Sequence, residues 1–317
     1  MKILITGGAG FIGSHVADLL LENKYDVCIV DNLSSGKLEN VNPNAKFYKC
    51  DIRDSQIYKI IEDEKPQIII HNAAQMSVRN SVEDPLNDAD INIIGGLNVL
   101  EAAKKARVKK IIFASSGGVV YGEQQYFPAD EDHPTKPICP YGVAKLSYEK
   151  YLYYYHYIFG IKYIALRYAN IYGPRQDPNG EAGVVAIFSK KLLSGDQPII
   201  NGDGMQTRDY VYVKDVAIAN LLAVNTDYIG EINIGTALET NVNKIFNILK
   251  NAAGKPDLEE VHGPAKEGEQ KRSVLSYKKA QQILGWKPEV KLEEGLIKTF
   301  NWFNLTSGFR AGTSWKI

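Results

Sequence analysis

Tyr141 and Lys145 stand four residues apart in Tyr141-Gly142-Val143-Ala144-Lys145, a spacing that puts a phenol and an ammonium on one face of a helix. A phenol titrates at about 10, too high for a base near neutral pH, but a neighbouring cation favours the phenolate and can lower its pKa by roughly 1 to 3 units. Tyr141 so placed is a candidate general base. The motif alone is a frequent accident, and the same helix carries Tyr148, Tyr151, Tyr153, Tyr154, Tyr155 and Tyr157. It gains meaning from two other stretches: a serine-bearing strand end, Ala114-Ser115-Ser116-Gly117-Gly118, and the first thirty residues of the chain.

Those thirty residues read as strand, tight loop, helix. Lys2-Ile3-Leu4-Ile5-Thr6 runs into Gly7-Gly8-Ala9-Gly10-Phe11-Ile12-Gly13-Ser14, and Val16, Leu19 and Leu20 mark an amphipathic helix. Glycines at 7, 10 and 13 remove side chains where the backbone must turn, approach a pyrophosphate and pack helix on strand. The free amides and the dipole of the helix start then favour phosphate. A second strand from Asp26 to Val30 ends in Asp31, eighteen residues beyond Gly13. A carboxylate there accepts both ribose hydroxyls of adenosine and repels a 2′-phosphate, which predicts NAD rather than NADP. The oxidised nicotinamide would add a second positive charge favouring the Tyr141 phenolate.

The elements that must position these groups alternate. Strands are expected at Lys46 to Cys50, Gln67 to His71, Lys110 to Ala114 and Lys162 to Arg167. Helices are expected at Ile57 to Ile61, from about Asn87 to Ala106 and from about Tyr141 to Phe159. Such alternation predicts an α/β fold, a Rossmann-type doubly wound parallel sheet covered on both faces, with ligands beyond the carboxyl ends of the strands. Past Gly173-Pro174 turn-rich stretches separate shorter elements, as expected of a smaller mixed lobe. Glu231 to Ile234 reads as a buried strand returning to the sheet, and helices are expected near Val242, Tyr277 and Leu292. The division expected is 1–172 plus about 211–239 for the nucleotide domain and 173–210 plus about 240–305 for the second lobe. The tail 306–317 lacks periodicity, as a disordered segment would.

Composition sets the remaining bounds. The 317 residues carry 37 basic and 37 acidic side chains, so no nucleic-acid partner is expected. Three cysteines, 28, 50 and 139, are an odd number without CxxC spacing, which suggests a reducing, cytoplasmic compartment without disulfides. No apolar run reaches membrane-spanning length and no signal peptide is seen. Histidines 15, 71, 133, 156 and 262 lack zinc spacing, and no metal is expected.

TGGAGFIGS at 6–14, the SSGG turn at 115–118, PYGVAK at 140–145, RYANIYGPRQ at 167–176 and RDYVYVKD at 208–215 together resemble the UDP-glucose 4-epimerases, members of the extended short-chain dehydrogenase/reductase superfamily and of its NAD-dependent epimerase/dehydratase family. The resemblance spans nearly the whole chain. It implies that Tyr141 removes the 4-hydroxyl proton of a UDP-hexose while hydride passes to NAD, that Ser116 hydrogen-bonds the 4-oxygen, with Ser115 as the alternative, and that Lys145 holds the nicotinamide ribose. Relatives that dehydrate or decarboxylate their sugar carry an acid where Gly117-Gly118 stands here, which disfavours both reactions.

For the cofactor the resemblance implies Phe11 and Ile12 at the pyrophosphate, Asn32, Ser35 and Gly36 near the adenosine ribose, and Asp51 with Ile52 at adenine. Ala73, Ala74 and Gln75 would follow, with Asn92 and Tyr168 on the nicotinamide side. Met76 stands where some relatives have a pyrophosphate lysine. For UDP it implies Asn170, Val184, Ile199, Asn201, Arg208 and Tyr210, then Lys266, where the pattern usually has Arg, and Glu269. Ser273, thirteen residues before Trp286, matches the position beside the sugar's 2-substituent, and its small side chain leaves room for an N-acetyl group. UDP-GlcNAc and UDP-GalNAc are therefore expected substrates beside UDP-glucose and UDP-galactose. The family also implies a homodimer through two helices per subunit. Alternatives are a UDP-glucuronate 4-epimerase and a non-catalytic NAD- and UDP-sugar-binding protein.

Overall fold

Both faces of the strand β1 (Lys2–Thr6) are apolar because both are covered, Ile3 and Ile5 by one helical layer and Leu4 by the other. The computed structural model describes residues 1–179, 183–265 and 270–306. After β1 come α1 (Phe11–Glu22), β2 (Asp26–Asp31), β3 (Lys46–Lys49), α2 (Gln56–Glu64) and β4 (Ile68–His71). The helix expected from about Asn87 to Ala106 runs without a gap through α4 (Pro85–Ala89), a π-helical turn over Asp90–Gly95 and α5 (Gly96–Lys105), and a short α3 (Val78–Glu83) precedes it. Pro85 cannot continue α3, and the Asp84 side chain restarts the helix by accepting from Asn87 N.

The alternation goes on through β5 (Lys110–Ser116), one turn of α6 (Gly117–Val120), α7 (Pro140–Phe159) and β6 (Lys162–Tyr168). Proline at its first position starts α7, and Gly160 in the left-handed region at φ 73 ends it. Then follow β7 (Asn170–Tyr172), α8 (Val184–Ser194), β8 (Ile199–Asn201), β9 (Thr207–Arg208), β10 (Tyr210–Tyr212), α9 (Val213–Asn225) and β11 (Gly230–Ile234). β12 (Thr240–Asn241), α10 (Val242–Ala252), β13 (Val261–Gly263), β14 (Arg272–Ser273), α11 (Lys278–Leu284) and α12 (Leu292–Thr306) complete the described chain.

The main sheet has the order β11-β6-β5-β4-β1-β2-β3, parallel throughout, the doubly wound arrangement expected from the alternation. Its order reverses between β1 and β4, and a crevice opens there beyond the strand ends. One core joins Ile5, Leu20, Ile70, Ile112 and Leu166 to α1 and α9; the other joins Leu4, Ile61, Val99, Phe113 and Leu152 to α2, α5 and α7. A third cluster, with Phe188, Ile200, Phe246, Leu249 and Phe300, binds α8, α10 and α12 to one another outside the sheet. Among the described residues no helix is long and apolar enough to cross a membrane.

A buried ion pair locks α7 to the sheet. Glu149 accepts from Arg167 Nε at 3.0 Å and Nη2 at 2.6 Å, and the Ser115 hydroxyl donates to the same carboxylate at 2.6 Å. Arg167 Nη1 also donates to the Tyr121 oxygen at 3.0 Å, and the Tyr121 hydroxyl donates to Asn233 Oδ1 at 2.7 Å. Removing one partner strands the other charge out of water. Glu149→Gln should therefore lower the unfolding free energy in urea by about 3 kcal/mol, and Glu149→Gln combined with Arg167→Met by clearly less.

Candidate active site

The candidate chemistry gathers at the carboxyl end of β5. Lys145, one turn into α7 from Tyr141, is only 4% exposed, and its Nζ donates to Ala114 O at 2.8 Å. That nitrogen lies 4.7 Å from the Phe113 ring centroid and 5.5 Å from that of Tyr141, so the ammonium stands near both rings. Burial lowers the Lys145 ammonium to about 8, against the opposing fields of Asp88 and then Glu149. Tyr141 sits in the first turn of α7, where the helix dipole also favours negative charge. Successive strand residues point to opposite faces. Ser115 therefore turns toward α7 and is consumed by Glu149, while Ser116 turns the other way. A Cβ added to Gly118 would lie 3.8 Å from Ser116 Oγ and 4.0 Å from Asn170 Oδ1, so the turn that lacks an acid faces both groups.

The glycine loop is a cradle that side chains would fill. Gly7 adopts φ 69, and a Cβ there would stand 2.6 Å from Ala73 N; a Cβ on Gly13 would overlap Gly7 O. Gly10 and Phe11 open α1, with Ile12 behind them. Asp31 Oδ2 accepts from Ala9 N at 3.0 Å and Oδ1 from Leu33 N at 2.8 Å, so the carboxylate is aimed before any ligand arrives. Burial raises its pKa while those two amides oppose the rise. Gly36 packs closely on the carboxylate, since a Cβ there would lie 2.8 Å from Asp31 Oδ1; Ser35 is exposed beside it. Asn32 Nδ2 donates to Asp51 Oδ2 at 2.8 Å, and Arg53 grips Asp51 with Nε and Nη2, holding its carboxyl down to about 2. The cradle, the aimed acid and the crevice at the reversal of strand order fit a dinucleotide.

Three expected cofactor contacts have their side chains engaged within the protein. The Tyr168 side chain is buried in the core against α9, its oxygen accepting from Asn220 Nδ2 at 2.8 Å. The strand pleat turns it inward. Ile52 packs into the core beneath Gly95, leaving only its main chain for adenine. The Asn92 amide is saturated: Oδ1 accepts from Gln75 N at 3.0 Å, and Nδ2 donates to Gln75 O and Asp88 Oδ1, both at 2.9 Å. It holds the main chain of Gln75.

Of the expected UDP contacts, Asn170, Val184, Arg208 and Tyr210 line one cleft of about 140 Å³. Ile199 and Asn201 lie on β8, paired with β13, outside that lining. Ser273 is buried in β14 opposite Arg208 in the ladder. Lys266 and Glu269 fall outside the described residues. Asp209, next to Arg208, gives its carboxylate to Thr236, Ala237 and Leu275 inside the fold. Burial raises that carboxyl to about 6. Reading the sequence missed Gln206 and Val242, which line the same cleft. Gln206 lies outside any strand, so no local alternation marks it. Asn72, in the loop after β4, lies against Gly7, and its buried side-chain amide finds no partner among the described residues. A larger hollow of about 570 Å³ opens near Gln67, Lys109 and Lys162, at the amino ends of the strands, away from this chemistry.

The chain resembles known proteins along almost its whole length. The crystal structure of UDP-glucose 4-epimerase with UDP-glucose from Thermotoga maritima is 52% identical, with a TM-score of 0.95, covering 97% of this chain and 100% of that one. The Thermus thermophilus UDP-glucose 4-epimerase in complex with NAD is 41% identical, with a TM-score of 0.91 over 96% and 100%. The UDP-N-acetylglucosamine 4-epimerase from Methanobrevibacter ruminantium, in complex with UDP-N-acetylmuramic acid, is 39% identical, with a TM-score of 0.90 over 95% and 97%. The family model for the NAD dependent epimerase/dehydratase family matches residues 3–235, and with it the dinucleotide cradle, the Tyr141–Lys145 pair and the sheet that carries them: the chain belongs to that family.

Proposed function

We propose that the protein is an NAD-dependent UDP-hexose 4-epimerase that interconverts UDP-glucose and UDP-galactose through a 4-keto sugar. The observation that carries this reading is the Tyr141–Lys145 pair fastened to the end of β5, the strand that ends in Ser116, with glycines where an eliminating enzyme needs an acid. In this reading Tyr141 takes the proton of the sugar 4-hydroxyl and later returns it. The Lys145 ammonium and the start of α7 stabilise the phenolate between those events. Ser116 hydrogen-bonds the 4-oxygen and orients it. NAD, when bound, supplies the acceptor and then the donor of hydride. Arg208, with Asn170 and Tyr210, would grip the UDP diphosphate, a guanidinium being able to hold two oxygens at once. Holding the sugar by its diphosphate lets the hexose present either face to one base. The small Ser273 side chain supports turnover of N-acetylated UDP-sugars as well, in line with the Methanobrevibacter relative.

We further assign residues 1–172 with about 211–239 to the NAD domain and 173–210 with about 240–305 to the UDP-sugar lobe. The third hydrophobic cluster supports this division. Cys28, Cys50 and Cys139 form no disulfide with one another, which supports a reducing cytoplasm. For a homodimer the support is an apolar stripe: Val143, Tyr151, Tyr154 and Ile158 recur at helical spacing on α7 and are all exposed, beside exposed Val82, Leu86 and Ile94.

Incubation with UDP-galactose, UDP-GalNAc and UDP-glucuronate in turn should yield the 4-epimers of the first two, followed by chromatography; turnover of UDP-glucuronate alone would replace this reading. Tyr141→Phe should cut kcat by about 10²- to 10⁴-fold while NAD still copurifies. Ser116→Ala should slow turnover at unchanged melting temperature. Ser115→Ala should do the reverse, costing about 1 to 3 kcal/mol of stability because Glu149 loses a buried donor. Light scattering should give twice the chain mass, and Tyr154→Glu with Ile158→Glu should halve it.

A further inference from the structure

Asp88 is a buried carboxylate beside this site to which the chemistry above gives no part. It lies on α4 and is 1% exposed. Its Oδ1 accepts from two neutral amides, Gln75 Nε2 at 2.8 Å and Asn92 Nδ2 at 2.9 Å. The π-helical turn shifts Asn92 into register to hold both the N–H and C=O of Gln75, so acid, asparagine and cofactor loop form one clasp. Neutral donors alone leave a buried anion costly, and a cation close by is the physical remedy. α4 packs on α7, and the cation across that contact is Lys145.

Lys145 has the matching deficit. It is buried, and the hydrogen-bond acceptor it reaches is a carbonyl rather than a carboxylate. The titratable groups facing it are His71 from β4, Tyr141 and Glu149 from α7, and Asp88 from α4. Burial, aided by Lys145, holds the His71 imidazole down to about 3, so it is neutral at pH 7. Glu149 is already matched by the two-pronged grip of Arg167. Asp88 is the carboxylate whose charge is left over.

We propose that Asp88 is a positioning residue for the epimerase: clasped by Gln75 and Asn92, it supplies the counter-charge that keeps Lys145 an ammonium beside Tyr141, and ties that charge to the loop the cofactor must touch. This rests on the role given to Lys145 above. Burial raises the Asp88 carboxyl, while Gln75, Asn92 and the Lys145 charge oppose the rise.

Asp88→Asn keeps an acceptor for both amides and removes only the charge; Asp88→Glu keeps the charge and strains the clasp. The purified holoenzyme, labelled with ¹³C and ¹⁵N in lysine, gives the Lys145 titration by NMR without reference to turnover. The Lys145 midpoint should fall by about one pH unit in Asp88→Asn and stay near wild type in Asp88→Glu. In the wild type the Asp88 ¹³Cγ shift at pH 7 should be that of an ionised carboxylate, a measurement that needs no variant to fold. An unmoved Lys145 in Asp88→Asn, equal displacement in both variants, or a protonated Asp88 at pH 7 would overturn the proposal. Inactivity toward every UDP-sugar would remove the epimerase reading and leave the Asp88–Lys145 coupling to be judged by the titration alone.

Discussion

A lysine ammonium held almost out of water is the constraint on which the proposed chemistry turns. Lys145 Nζ donates to Ala114 O, and this bond fastens the first turns of α7 to the end of β5. Tyr141 lies one helical turn before the lysine, and Ser116 lies two residues beyond the carbonyl, so a single contact fixes both relative to each other. Burial makes the contact effective, because a charge in a dry site acts on its neighbours far more strongly than one in water. The same burial weakens the charge it relies on, lowering the ammonium to about 8. The surrounding carboxylates and the dry aromatic wall of Phe113 are the fold's answer to that conflict.

The nucleotide side is organised by the absence of side chains and the aiming of one. Gly7 and Gly13 let the loop fold onto the chain after β4, and Asp31 is pinned by Ala9 and Leu33 amides before any ribose arrives. Preorganised groups of this kind lose little freedom on binding. The other lobe is tied to the same helix: the His15 ring bonds Pro174 O at 2.9 Å, and Arg175 meets Asp18 at 2.7 Å. Residues on α1 therefore hold the start of the segment that leads to the cleft lined by Arg208 and Tyr210. The lobe's own hydrophobic cluster leaves these ties and the β7–β10 ladder among its links to the sheet.

How much of this could be read from residues alone depends on the range of the interaction. Strand, glycine turn, helix and terminal acid in residues 2–31 are local, each recorded in a few neighbouring side chains, and the parallel sheet follows from their repetition. Tyr141 and Lys145 share a face through helical geometry alone. Arg208 and Tyr210 were legible through the motif that carries them, but Gln206 lies outside any strand and reaches the same cleft only through the fold. The break at Pro85 was marked by its residue type. The π-helical turn after it was not, because it is stabilised by a tertiary clasp rather than by propensity.

The chain alone, then, determined the class of fold, the dinucleotide cradle and the phenol–ammonium pair, all products of short-range periodicity and backbone sterics. The tertiary structure decided that, of two adjacent serines, Ser115 bonds Glu149. It decided that Tyr168 is core and that Asn92 and Asp88 serve a loop. The partners of Ser115 and Tyr168 lie 34 and 52 residues away, and Asn92 and Asp88 meet Gln75 17 and 13 residues back in the loop after β4. Side-chain direction there is therefore set by packing and by the need to satisfy buried polar groups, which a linear pattern does not record.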